Sequence, residues 1–197
     1  MKILVIGANG LVGSGVANVL RKNHEVISAS RSSDVNVDVN DPASIAAMYK
    51  SVGKVDAVVA CIGKVAFKPL AELTRDDYLK GITDKVMGQV ELVNQGLDYV
   101  NDSGSFTLTT GVLAREPIKT GALAALANGA LESFVIGASI EMPRGIRINA
   151  VSPSVLAEAE GYHPYFPGFT HVTLAEVTNT YVKSVEGWST GQIYELG

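Results

Sequence analysis

MKILVIGANGLVGSG, residues 1–15, decides how the rest of the chain is read. Lys2 to Ile6 is a short apolar run rich in β-branched residues, the pattern of a strand buried on both faces. Gly7, Gly10 and Gly13 follow at intervals of three, and Val16, Val19 and Leu20 then recur at helical spacing. Strand, glycine turn and helix together make a corner suited to phosphate. The glycines let the backbone turn tightly and approach a pyrophosphate, and the N–H groups that open the helix receive its negative charge. Asn9, Leu11 and Val12 lie between the glycines and are expected to line the same site. Glycines also serve ordinary turns; the buried strand before them and the helix after them make dinucleotide binding the expected role.

Outward from this corner the chain alternates. Glu25–Ser30, Val35–Val39, Val55–Ala60, Ser105–Thr109, Ile146–Val151 and Gln192–Leu196 read as further strands. Between them, Asp41 caps a helix with Pro42 at its first position, Leu73 to about Val100 is helical, Ala122–Met142 is a long alanine-rich helix, and Leu174–Ser184 is another. Strands alternating with helices from end to end predict an α/β fold. It is a single doubly wound, Rossmann-type domain over 1–197, its parallel sheet covered by helices on both faces.

The composition narrows the partners. With 197 residues, 47% of them hydrophobic, the chain suits one good core and is short for two domains. A net charge of −4 and no basic run argue against nucleic acid as the main partner. No stretch approaches the roughly 20 apolar residues of a membrane span, and the N-terminal run, broken by glycines, is not read as a signal peptide. The lone Cys61 excludes internal disulfides and fits a reducing compartment, so a cytoplasmic location is expected.

In a doubly wound sheet, ligands bind beyond the carboxyl ends of the strands. After the second strand come Ser30, Arg31, Ser32 and Ser33. A carboxylate there would favour NAD through the ribose 2′-hydroxyl, whereas a guanidinium among hydroxyls suits a 2′-phosphate. NADP is therefore expected ahead of NAD. After the third strand, Asp38 either accepts from the adenine amino group or merely caps a turn, and Val39 lines the adenine slot. After the fourth, Cys61-Ile62-Gly63 gives a small turn beside the cofactor. Cys61 reads as a buried small hydrophobe, with no histidine near it in sequence.

The order of these motifs resembles the short-chain dehydrogenase/reductase family over nearly the whole chain. GANGLVG has the GxxGxxG spacing of extended or atypical members. RGIRINAVSP (144–153) resembles the segment after the family's catalytic helix, Ala60–Gly63 stands where the family has NNAG, and Thr190-Gly191-Gln192 resembles its C-terminal TGQ. The resemblance implies cofactor contacts at Asp38, Val39, Cys61, Gly63, Pro153 and Val155. It also implies a catalytic serine, a tyrosine, a lysine one helical turn later and an asparagine on the preceding helix. Counted back from RGIRINAVSP, the serine falls on Thr110, the tyrosine on Ala124, the lysine on Asn128 and the asparagine on Lys85. The tyrosine is missing, and either lysine and asparagine are exchanged between two helices, or Lys85 is a surface residue and Asn128 a helix-packing one.

Reduction of a carbonyl needs a proton donor at oxygen, and Ala124 is none. Three substitutes are open: Lys85 with a lowered pKa, Thr110 with a water chain ending at Lys85, or Tyr162, His163 or Tyr165 from the aromatic-rich segment 154–173. That segment stands in the place of the family's substrate lid, with Ser154 where a glycine is usual, and it also reads as a hydrophobic plug. Arg115 and Glu116 reach an anionic or polar substrate or form a solvated pair. Two functions follow: an NADP-dependent oxidoreductase acting on an unidentified small carbonyl or alcohol through Thr110, Lys85 and Asn128, or a dinucleotide-binding sensor without turnover. Small residues on the two long helices, as in the family's subunit contacts, imply a homodimer or homotetramer.

Overall fold

Parallel strands need long crossovers, and apolar helices supply them while covering both faces of the sheet. A computed structural model describes residues 1–197. The strands are β1 (Lys2–Ile6), β2 (Glu25–Ser30), β3 (Val35–Asn36), β4 (Val55–Ala60), β5 (Val100–Thr109), β6 (Arg147–Pro153) and β7 (Ile193–Leu196). They form one parallel sheet in the order β3-β2-β1-β4-β5-β6-β7. The helices are α1 (Leu11–Leu20), α2 (Pro42–Val52), α3 (Arg75–Gly81), α4 (Gly88–Gly96), α5 (Ala122–Ser139) and α6 (Leu174–Glu186).

Side chains alternate along each strand, so each face has its own core. Leu4 and Ile6 join Val58, Phe106, Leu108 and Ile148 under α2, α4 and α5. Ile3 and Val5 join Ala57, Val59 and Val151 under α1 and α6. The order reverses between β1 and β4, where the chain leaves the β2–β3 side and crosses to the other. The crevice at the ends of those two strands is the switch point at which ligands bind in such sheets.

Some boundaries differ from expectation, each for a local reason. β3 stops at Asn36 because Asp38 turns the chain, accepting from Asn40 N through its carboxylate (3.0 Å) and from Asp41 N through its carbonyl (3.1 Å). The segment expected as one helix from Leu73 starts at Arg75 after a capping box of Thr74 with Asp77. It then widens into a π turn, Ile82–Met87, before α4. β5 begins at Val100, with a register shift against β4 between Val55 and Ala57. Helix α5, contrary to the expectation that no stretch approaches a membrane span, is long and apolar enough to cross one by length and composition. Its Ala127, Leu131 and Val135 pack into the sheet core.

Candidate active site

The cleft at the switch point measures about 520 Å³ and is lined by the corner, the turns after β2 and β3, the turn after β4, and the π turn. Gly7 has φ +80°, and a Cβ there would run into the Cys61 carbonyl. A Cβ on Gly13 would collide with the carbonyl of Gly7, so the helix is held against the strand end by the absence of that atom. Helices α2, α3 and α6 are each capped by a side chain, from Asp41, Thr74 and Thr173. Helix α1, capped only by the backbone of Gly10, has no side-chain cap. Its first N–H groups are available to an anion.

Around the β2 end the hydroxyls form a preset ring. Asn9 Nδ2 donates to Ser30 Oγ and Ser32 Oγ at 2.8 Å each, Ser32 N donates to Ser30 Oγ at 3.1 Å, and Ser30 Oγ meets Ser33 Oγ at 2.7 Å. Arg31 lines the cleft beside them and makes no ion pair. On the β3 side, Asn40 donates to Asp84 at 2.9 Å, and both line the cleft with Val37, Asp38 and Val39. The turn after β4 brings in Cys61, Ile62, Gly63 and Lys64. Burial pushes the Cys61 thiol up to about 12, against weaker opposing hydrogen bonds from Tyr181 and Thr109, so it is no nucleophile.

At the β5 end the groups bond to one another. Thr110 Oγ1 donates to Glu132 Oε1 at 2.9 Å, Ser152 Oγ donates to the same oxygen at 2.8 Å, and Arg115 Nη1 donates to it at 3.0 Å. Arg115 also pairs with Glu195 at 3.3 Å, so its carboxylate partners are Glu132 and Glu195 and not the expected Glu116, which is exposed. Lys85 lies in the π turn with its stem across Gly63, where a Cβ would approach Lys85 Cγ to 2.6 Å. Burial lowers its pKa to about 8, while the Glu132 charge pulls it partly back. Gln89, fully buried, holds this region together: its Oε1 accepts from Thr109 N at 2.8 Å and its Nε2 donates to Thr109 O at 2.9 Å. Asn128 is buried beside Gly111, and its Oδ1 has no donor within the chain.

The expected cofactor residues divide. Gly7, Asn9, Gly10, Ser30, Arg31, Ser32, Asp38, Val39, Cys61 and Gly63 share the cleft. Leu11, Val12 and Gly13 form the first turn of α1 behind it. Pro153 ends β6 opposite Leu196, and Val155 packs in an apolar cluster with Val112, Leu113, Ala124 and Phe166. Of the alternative proton donors, Tyr162 and Tyr165 are exposed, and His163 bonds the Leu156 carbonyl at 2.9 Å and stacks on His171. Glu132, Ser152 and Gln89 are absent from the sequence-based set. Glu132 was within reach of it, since it follows Ala124 and Asn128 on the same face at successive helical turns.

The family model described as Enoyl-(Acyl carrier protein) reductase matches residues 11–182. The protein lin1944 from Listeria innocua is 51% identical, with a TM-score of 0.97 over 99% of this chain and 98% of that one. A small-chain dehydrogenase solved in complex with NADPH has the same fold at 21% identity, with a TM-score of 0.88 over 99% of this chain and 95% of its own. The hydroxynaphthalene reductase-like protein Arp2 of Metarhizium brunneum is 25% identical over 76% of this chain, which spans 66% of that protein's length. The seven-stranded parallel sheet and the extent of the family match lead to one conclusion: the chain belongs to the short-chain dehydrogenase/reductase family.

Proposed function

We propose that this chain is an NADP-dependent oxidoreductase that interconverts a small carbonyl compound and its alcohol with a non-standard set of active-site residues. The observation that carries this reading is the cleft at the switch point, whose glycine corner leaves the start of α1 without a side-chain cap. The corner glycines, the start of α1 and Arg31 would hold a nicotinamide dinucleotide there, and such a cofactor would supply hydride in reduction and take it up in oxidation. Arg31, without a carboxylate partner and beside the hydroxyl ring, supports binding of a 2′-phosphate and hence NADP over NAD. The NADPH-bound dehydrogenase of the same fold and the fungal relatives named as hydroxynaphthalene reductases are consistent with it.

The proton has one candidate source in this reading. Thr110 spends its hydroxyl hydrogen on Glu132, so towards a substrate it offers only lone pairs. The Lys85 ammonium then gives the proton to the carbonyl oxygen, and its lowered pKa suits that transfer near neutrality. Asn128, with an unmet Oδ1, holds a hydroxyl such as that of the cofactor ribose. Exposed Leu126 and Ile136 on α5, beside Gly129 and Gly137, support the homodimer or homotetramer, and a lone free Cys61 is consistent with a cytoplasmic protein. Sedimentation as a monomer at micromolar concentration would refute the oligomer.

A second reading, a dinucleotide sensor without turnover, is favoured by Ala124, where the family places its proton donor. Titration with NADPH followed by assay of its oxidation across a panel of aldehydes and ketones separates the two. Turnover with any of them supports the oxidoreductase; saturable NADPH binding with no oxidation by any carbonyl supports the sensor.

A further inference from the structure

The segment Leu156–His171 covers the β5–α5 end of the site, and it is attached almost entirely at its neck. There Leu156 and Val172 bridge, Val172 N donates to Val155 O at 3.0 Å, and Ala157 N donates to Val172 O at 2.8 Å. Inside the loop the backbone bonds are local, from Ala159 to Leu156, Tyr162 to Ala159, Phe166 to His163 and Phe169 to Phe166. One further tie, from Leu174 N to the Glu158 carboxylate, joins it to the start of α6. Between Leu156 and His171, Phe166 is the single buried residue. Its ring sits in a cluster with Val112, Leu113, Ala124 and Val155, with Val65 and Ile118 packed alongside.

That location has chemical meaning. Ala124 stands, one helical turn before Asn128, where the family has its tyrosine, and Thr110 precedes the Val112–Leu113 wall by two residues. The phenyl ring of Phe166 thus packs on Ala124 and on the Val112–Leu113 wall, residues that neighbour Asn128 and Thr110 along the chain. Phe169 meets it edge-on, with ring centres 5.3 Å apart and planes at 86°.

We propose that Phe166 is a built-in stand-in for the substrate: the pocket takes the ring of an uncharged aryl ketone or aldehyde, which displaces Phe166 and keeps Phe169 as its edge-on neighbour. This deepens, and rests on, the carbonyl reading above. An apolar wall selects against charge in the body of the ligand, since a charge moved there would lose its hydration without gaining a partner. The retained Phe169 ring favours an aromatic over a saturated body. The loop, held by one buried ring, the Leu156–Val172 neck and the Glu158 tie to α6, belongs to no strand of the sheet, so its swing leaves the sheet intact.

Titration calorimetry of the intact chain with 1-tetralone, and with its ring-saturated counterpart 1-decalone, tests this without turnover. Phe166→Ala is expected to bind 1-tetralone about tenfold more tightly than the unaltered chain, because the internal competitor is gone. Phe166→Leu is expected to fall between them, and it replaces the alanine variant if that variant loses NADPH binding. Phe169→Ala is expected to abolish the preference for 1-tetralone over 1-decalone, and the Ala124 methyl resonance to move on binding. Unchanged or weaker 1-tetralone binding by a Phe166 variant that still binds NADPH overturns the proposal. Tight 1-tetralone binding with no NADPH oxidation by it or by any other carbonyl leaves the pocket standing and removes the oxidoreductase reading. Turnover of other carbonyls, with no effect of Phe166 substitution on ketone binding, does the reverse.

Discussion

At the ends of β1 and β2 the positive groups, the Arg31 guanidinium and the opening N–H groups of α1, are left without partners although Asn9 and the serines bond among themselves, whereas at the ends of β5 and β6 the charged groups are bonded to one another. Arg31 has no ion-pair partner and α1 has no side-chain cap, while Glu132 alone accepts from Thr110, Ser152 and Arg115. The first region is open and the second is roofed by Phe166. The difference shows what each part requires. An anion is captured by donors that have nothing else to bond, so spare capacity serves binding. A reacting group has to be fixed in direction, and a network that consumes its hydrogen bonds does that. The cost is that a fixed group loses choices: with its hydrogen given to Glu132, Thr110 can only accept from a substrate.

The sharpest way to break this contrast is to remove the one cation of the closed end that lacks a hydrogen bond. Lys85→Met is expected to lower kcat for carbonyl reduction by roughly 10²–10⁴-fold, with NADPH affinity changed far less. In the unaltered chain, reduction should be flat at low pH and fall as pH rises through about 8, where the ammonium is lost. The variant should lose that limb. Its stability moves the other way. Because the folded-state pKa lies below the usual 10.5, burying the ammonium is a penalty present below pH 8 and relieved as pH rises towards 10.5. Lys85→Met is therefore expected to be more stable at pH 7, by about 1 kcal/mol once solvent screening is discounted. Denaturant unfolding at pH 7 checks the sign, and a less stable variant contradicts it.

The open end is broken by filling its corner. Gly13→Val puts atoms into the Gly7 carbonyl and pushes α1 off the strand, and NADPH affinity is expected to fall by about 100-fold or more. Arg31→Ala is a finer probe. It should weaken NADPH by about tenfold while leaving NADH unchanged, since only the 2′-phosphate needs the guanidinium. Equal losses for both cofactors would remove the assignment. The mildest test is Glu132→Gln, which keeps an oxygen for Thr110 and Ser152 and removes the charge facing Arg115 and Lys85. A fall in Tm of roughly 2–4 °C is expected, with the high-pH limb of reduction moved to lower pH. A pH profile that does not move would separate Glu132 from Lys85.

The open end was legible in the sequence because its requirements are local. Gly7, Gly10 and Gly13 each answer a demand of the backbone within a few residues, and Arg31 follows directly on a strand. The closed end was not, because its partners come from three separate stretches: Thr110 after β5, Glu132 on α5 and Ser152 on β6. Residue type says little about such meetings. The spacing of Ala124, Asn128 and Glu132 carried the only signal, and it named a face without naming what the face meets. The two-residue length of β3 was hidden for a related reason, since Val37 and Val39 continue the alternation of a strand while Asp38 turns the backbone.

The π turn between α3 and α4 carries one residue more than the α-helical turn it replaces. Gln89, bonded to both the N–H and the carbonyl of Thr109, fixes α4 against the sheet, so the surplus is absorbed on the α3 side. Deleting a single residue from Ile82–Met87 would rewind the segment and rotate what precedes it by about 100°. The reach of Lys85 across Gly63 is thus set by chain length as much as by residue type. A single-codon deletion here would re-aim the cation while leaving the composition of the site intact.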